Sequence, residues 1–272
     1  MSKLKSLTLH TRSLCPTDAE IWVLPAVTTS TPATEIRGQL VGPTSPFATT
    51  VEVAYPLQPF PKLPEGLPLL ARRIVIPEPS LWSPEQPFLY RGAVEVWENG
   101  SCLERRLIRH GLRSARLGID GLIWNGQRLL LTAWDRPELT ESELRDLRRG
   151  GVNALLLDPN AGTIWEAAER FGFVVIGKLG ATLPADSEHS QSVACLGWLT
   201  PAKWLGRNDV IEWIKITHRV HRRYVGVELD SVREIELPDE ISFVAGPSEL
   251  PTTLNRPRLL RGGAGELGRI NS

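Results

Sequence analysis

The spacing of apolar residues changes partway along this chain, and that change decides what it can fold into. Up to about residue 112, apolar and polar residues alternate in short runs separated by Pro and Gly. Residues 50–55 set Val51, Val53 and Tyr55 against polar neighbours. Side chains two apart share one face of a strand, so this pattern belongs to half-buried β-strands. Comparable runs occupy residues 20–26, 33–41, 69–76, 89–97 and 102–110. Asn99-Gly100, between the last two, predicts a type I′ hairpin turn, because both residues tolerate positive φ. Residues 56–68 carry five prolines and read as a loop. Six or seven short strands without a helix predict a β-sandwich of immunoglobulin type.

After about residue 120 the period changes. Residues 129–133 form a continuous apolar strand. Thr140 then stands as a helix N-cap, with Glu143 at the capping-box position and Gly150-Gly151 as the stop. Strands are predicted at 153–157, 173–176, 193–199, 224–229 and 240–245, and helices at 163–171 and 209–222. Val210, Ile211, Ile214 and Val220 form the apolar face of the last helix. Strands that are apolar on both faces and alternate with helices are parallel and buried. Six strands are expected rather than eight. A full (β/α) barrel takes about 250 residues and only about 150 follow the sandwich, so the barrel is expected to be partial. The expected architecture is therefore multidomain β and α/β: a sandwich over 1–115, a barrel-like domain over 116–250 and a flexible tail over 251–272. Six strands leave open sheet edges, which the tail or a second copy of the chain would cover.

The formal net charge is zero, which argues against nucleic-acid or membrane-surface binding. No run of about 18 apolar residues predicts a membrane span. No apolar stretch follows the N-terminus, so no signal peptide is expected. Cys15, Cys102 and Cys195 are sparse and odd in number, which suits a reducing cytoplasm. His218 and His221 are three apart without a third ligand, so neither a metal nor any other cofactor is expected.

Several segments resemble glycoside hydrolase family 2, the β-galactosidase, β-glucuronidase and β-mannosidase family. Residues 79–90, Pro-Ser-Leu-Trp-Ser-Pro-Glu-Gln-Pro-Phe-Leu-Tyr, are similar to its signature at the last hairpin of the immunoglobulin-like domain. His110-Gly111-Leu112-Arg113 resembles the segment after that hairpin, and residues 122–131 resemble the entry to barrel strand one. Gly151-Val152-Asn153-Ala154 is similar to strand two, residues 168–176 to the approach to strand three, and Ser192-Val193 to the entry to strand four. The six pieces follow the family's order and spacing.

Family members are retaining glycosidases, which need two carboxyl groups about 5–5.5 Å apart at the C-terminal ends of the strands. The resemblance puts the acid/base position, an Asn-Glu pair, on Thr200-Pro201. It puts the strand-two Arg on Leu156, the following His on Pro159, and the acidic residue after strand three on Lys178. Only Asp135-Arg136 survives of the polar segment after strand one. The nucleophile belongs after a seventh strand, which is expected to be missing. The expected function is thus that of a catalytically inactive family 2-like protein, a carbohydrate-binding or protein-interaction module. The alternative is a diverged O-glycosyl hydrolase with relocated carboxylates, for which Glu228, Asp135, Asp158 and Glu249 lie near strand ends. Trp134 and Trp198 are the candidate sugar-stacking residues. The partners implied are a carbohydrate, a second copy or a partner hydrolase.

Overall fold

The computed structural model describes residues 3–28, 30–118, 121–136, 139–180, 183, 191–219, 223–229, 237–246, 257–261 and 267–271. Backbone contacts divide the chain into two compact units. The first comprises Met1–Trp82 and Gln86–Arg113, the second Ser83–Glu85 and Ser114–Ser272.

The first unit holds seven strands: β1 (Leu4–Leu14), β2 (Asp18–Val27), β3 (Thr34–Thr44), β4 (Val53–Pro56), β5 (Arg72–Pro77), β6 (Leu89–Glu98) and β7 (Ser101–His110). They form two antiparallel sheets, ordered β1-β2-β5 and β4-β3-β6-β7. Alternate residues turn inward: Ala19, Ile21 and Val23 of β2 and Ile74 and Ile76 of β5 meet Ile36, Leu40, Val94 and Val96 of the other sheet. The core so formed lies between the inner faces of the two sheets, as in a β-sandwich. Asn99 and Gly100 have φ of 50° and 80°, as the expected hairpin turn demands. Tyr90 joins this core and its hydroxyl accepts the Ser80 N–H at 2.9 Å. Trp82 is fully buried. Strand β1 is not evident in the sequence. Two register shifts along it, at Leu4/Ser6 and Thr11/Ser13, break the period-two pattern that reveals the others.

The second unit starts with a small antiparallel sheet of β8 (Ala115–Gly118), β9 (Gly121–Trp124) and β10 (Gln127–Leu129). The expected strand at 129–133 therefore shifts: β10 ends at Leu129 and the parallel sheet begins with β11 (Ala133–Asp135). Then follow α1 (Glu141–Arg149), β12 (Ala154–Leu157), α2 (Thr163–Phe171), β13 (Val174–Lys178), β14 (Cys195–Pro201), α3 (Asn208–Arg219), β15 (Tyr224–Glu228) and β16 (Phe243–Gly246). Strands β11 to β16 are the six parallel neighbours that the sequence predicts. Thr140 caps α1 in a full capping box with Glu143, and Gly172 ends α2 in the left-handed conformation.

The region expected to be a tail supplies two more strands, β17 (Arg258–Arg261) and β18 (Leu267–Asn271). The first continues the parallel series and the second runs antiparallel between β17 and β11, closing the ring. A seventh parallel strand is thus present where none was expected. Ring closure satisfies edge N–H and C=O groups that an open six-stranded sheet would expose. At the opposite end from the C-terminal strand ends, the Tyr224 hydroxyl accepts the Leu117 N–H and donates to Ala115 O, both at 3.0 Å. These bonds tie the small sheet to the start of β15.

Candidate functional site

The side-chain directions in the barrel follow from which residues touch. Lys178, the last residue of β13, lies 2.8 Å from Asp135 of β11 and 3.9 Å from Glu228 of β15. Each of those strands is two places away from β13, so the three side chains meet only in the barrel interior. Strand alternation then places Leu156, Ile176, Leu199 and Phe243 inside as well, through the register Asp135↔Leu156↔Ile176 and Lys178↔Leu199↔Gly226↔Phe243. All four are nearly or fully buried, and the Phe243 ring lies over Gly226. They form an apolar floor beneath a polar cluster at the C-terminal end of the strands, the end where barrel enzymes place their chemistry.

Two carboxylates share one ammonium in this cluster. Glu228 is the most enclosed, with its side chain 17% exposed, against 33% for Lys178 and 31% for Asp135. The separation of the two nearest carboxylate oxygens cannot exceed the sum of their distances to Nζ, so both carboxylates converge on the same end of the barrel. The space between them, where a sugar carbon would be attacked, is held by the ammonium.

The position matching the family acid/base residue is also turned to other use. Pro201 pairs in register with Glu228, so the interior-facing place holds a proline ring with no proton to give. Thr200 shares the outward side of β14 with Trp198; its hydroxyl is buried and takes no hydrogen bond from the described residues. Leu156 stands inside where the resemblance implies an Arg. Beyond β17, whose four residues are Arg258, Leu259, Leu260 and Arg261, the chain leaves the described residues.

The remaining sequence candidates sit elsewhere. Asp158 is exposed just past β12; its Oδ1 accepts the Asn160 N–H at 2.7 Å, and its carbonyl accepts the Trp165 indole N–H at 2.9 Å. That is a turn-forming role. Glu249 and His221 lie outside the described residues. Among the described residues no His, Cys, Asp and Glu group could hold a metal ion. Trp198 does not line the barrel end. It points outward, fully buried, with Trp165 of α2 at 5.7 Å and Trp213 of α3 at 6.1 Å between ring centres, leaving no face for a sugar. Trp134 alternates with Asp135 and also points outward, into a pocket beside α1. Lys178 is the residue the sequence reading passes over as a site member. Its departure from the family's acidic residue was the available signal.

Residues 28–113 match the family model for glycosyl hydrolases family 2. A putative beta-glucuronidase of Formosa agariphila is 23% identical over 158 residues, which is 52% of this chain and 15% of that protein. A beta-galactosidase of Psychromonas ingrahamii is 24% identical over 142 residues, 47% of this chain and 14% of that protein. Among solved structures, apo Bacteroides uniformis beta-glucuronidase 3 superposes with a TM-score of 0.63 at 19% identity, over 90% of this chain and 34% of its own. A beta-glycosidase from Bacteroides vulgatus gives 0.67 at 12% identity, over 91% and 35%. The chain thus spans about a seventh of the length of these curated relatives and about a third of these structures. From the matched model and these relatives together, the chain is similar to glycoside hydrolases of family 2, and its fold is an immunoglobulin-like sandwich followed by a trimmed (β/α) barrel.

Proposed function

We propose that this protein does not hydrolyse glycosides and acts as a carbohydrate-binding module descended from a family 2 enzyme. The observation that carries the reading is the Lys178 ammonium between Asp135 and Glu228. Retaining hydrolysis requires one carboxyl to donate a proton and a second to attack from the opposite side of the sugar ring. An ammonium paired to one and close to the other neutralises the attacking charge and occupies the reaction space. Pro201 at the acid/base position removes the ordinary proton donor. Cys15 and Cys102 are exposed and free, and Cys195 is buried and free, in keeping with action in a reducing cytoplasm. No described helix is long and apolar enough to cross a membrane.

The test is an assay of the purified chain on nitrophenyl β-galactoside, β-glucuronide and β-mannoside, beside its Glu228→Gln and Asp135→Asn variants. The expected result is no turnover above buffer for any of them. Because two carboxylates do converge at the barrel end, the competing reading is a hydrolase with relocated catalytic groups. Turnover that either substitution abolishes would establish it.

A further inference from the structure

The nine tryptophans of the chain differ in what they touch. Trp22, Trp97, Trp165, Trp198, Trp204 and Trp213 each have a hydrogen-bond, ring or cation–π partner. Trp82 and Trp124 have partners too. Trp134 has none among the described residues. Its half-buried indole instead lines a cavity of about 400 Å³ on the helix side of β11, together with Arg136, Leu139, Glu143, Asp146 and Leu147.

The geometry points to this cavity as a binding site for a neutral pyranose ring stacked on Trp134, a proposal that rests on the carbohydrate-binding reading above. The volume is that of a small-ligand site and holds one or two sugar rings. An indole offers a flat apolar face to the C–H side of a pyranose, and an N–H to one of its hydroxyls. Leu139 and Leu147 continue the apolar wall. Asp146 Oδ1 accepts from Arg149 at 3.0 Å, while its Oδ2 has no partner among the described residues and is available to sugar hydroxyl donors. Arg136 is held by Glu143 at 2.9 Å, and Glu143 is itself held by Thr140, so this wall is preorganised. The lining carries two carboxylates against one guanidinium, which disfavours an anionic sugar such as a uronate.

The experiment is calorimetric titration of the full chain with methyl β-galactoside and methyl β-glucuronide, repeated on Trp134→Ala, Trp134→Phe, Asp146→Asn and Glu228→Gln. We expect saturable binding of the galactoside, weakened about tenfold by Trp134→Ala. Trp134→Phe and Glu228→Gln should retain it, Asp146→Asn should weaken it several-fold, and the glucuronide should bind more weakly than the galactoside. Absence of saturable galactoside binding overturns the proposal. So does binding that Glu228→Gln abolishes and Trp134→Ala leaves intact, since the ligand would then sit at the barrel end. Should Trp134→Ala fail to fold, Asp146→Asn decides: its side chain is 72% exposed, and unchanged affinity in that variant overturns the site. Hydrolysis of a nitrophenyl glycoside would refute the non-hydrolytic reading while leaving this pocket standing.

Discussion

Lys178 Nζ lies 2.8 Å from Asp135 Oδ2 although β13 and β11 are separated by β12. The bond crosses the barrel interior, so it helps fix the curvature of the sheet as well as the charge of the site. Both side chains are about a third exposed, and water screens much of their attraction. A double-mutant cycle of Lys178→Met with Asp135→Asn should give a coupling of about 1 kcal/mol in urea unfolding. Lys178→Met alone should cost more, about 1–3 kcal/mol, because Asp135 and the more enclosed Glu228 both lose a cation. Zero coupling in the cycle would show that the pair is not formed in solution.

The second prediction concerns the seam between sheet and helices. Trp198 has 0% exposure and fills the space between α2 and α3. Trp198→Ala should destabilise the protein by about 3–5 kcal/mol. Gly177, its register partner on β13, makes room for the indole: a Cβ there would sit 2.2 Å from the ring. Gly177→Ala should therefore destabilise in the same direction, since a buried ring has nowhere to move. Thermal unfolding checks both. A Trp198→Ala protein as stable as the parent would remove the indole from the core.

Much of this architecture is legible in the sequence, and the losses have physical causes. The strand Ala154–Leu157 is four apolar residues long and can only be buried. Asn99-Gly100 and the Thr140–Glu143 box encode local geometry, so neighbouring residues suffice to read them. β17 and β18 hide in an Arg- and Gly-rich stretch because their pairing comes from ring closure, which joins β18 to β11, more than a hundred positions away. The site is harder still. Trp134 and Asp135 adjoin in sequence yet face opposite sides of the sheet, and only the register tells which one enters the barrel. The meeting of Lys178 with Asp135 and Glu228 spans two strands on either side, a relation that no local pattern records.

The capping box makes a pH-dependent prediction. The Thr140 backbone N–H, and then its hydroxyl, hold the Glu143 carboxyl below its usual value, with Arg136 adding to the effect. A carboxyl lowered in the native state contributes stability that is complete above its unfolded value, near 4.5, and is lost as pH falls through the lower native value. The stability difference between the parent and Glu143→Gln should therefore shrink from about pH 6 to about pH 3. Thr140→Ala removes the reciprocal acceptor and should cost about 1 kcal/mol at neutral pH. A difference independent of pH would place the Glu143 contribution in packing instead.

The last prediction concerns Arg148, which the sequence presents as half of an ordinary basic pair with Arg149. Its guanidinium donates to four carbonyls: Pro84 at 2.5 Å, Phe171 at 2.6 Å and Gly172 at 3.5 Å through Nη1, and Glu85 at 3.2 Å through Nη2. Burial holds its pKa below the ordinary guanidinium value, but Arg remains charged at any pH of interest. Gly172 completes the arrangement. With φ of 77°, it turns the end of α2 so closely that a Cβ would meet Pro84 O at 2.3 Å and Arg148 Nη1 at 2.7 Å. The fork thus joins the end of α1, the end of α2 and the Pro84-Glu85 segment, which gives the Trp-Ser-Pro-Glu stretch a structural duty independent of any sugar. Arg148→Met should cost about 2–4 kcal/mol, since it strands carbonyls that hydrogen bond to a charged donor. Arg148→Lys should recover less than half of that, because a compact ammonium cannot span the fork. Urea unfolding of the three proteins decides the matter. A Lys variant as stable as the parent would mean that charge alone, and not the planar geometry of the guanidinium, holds these segments together.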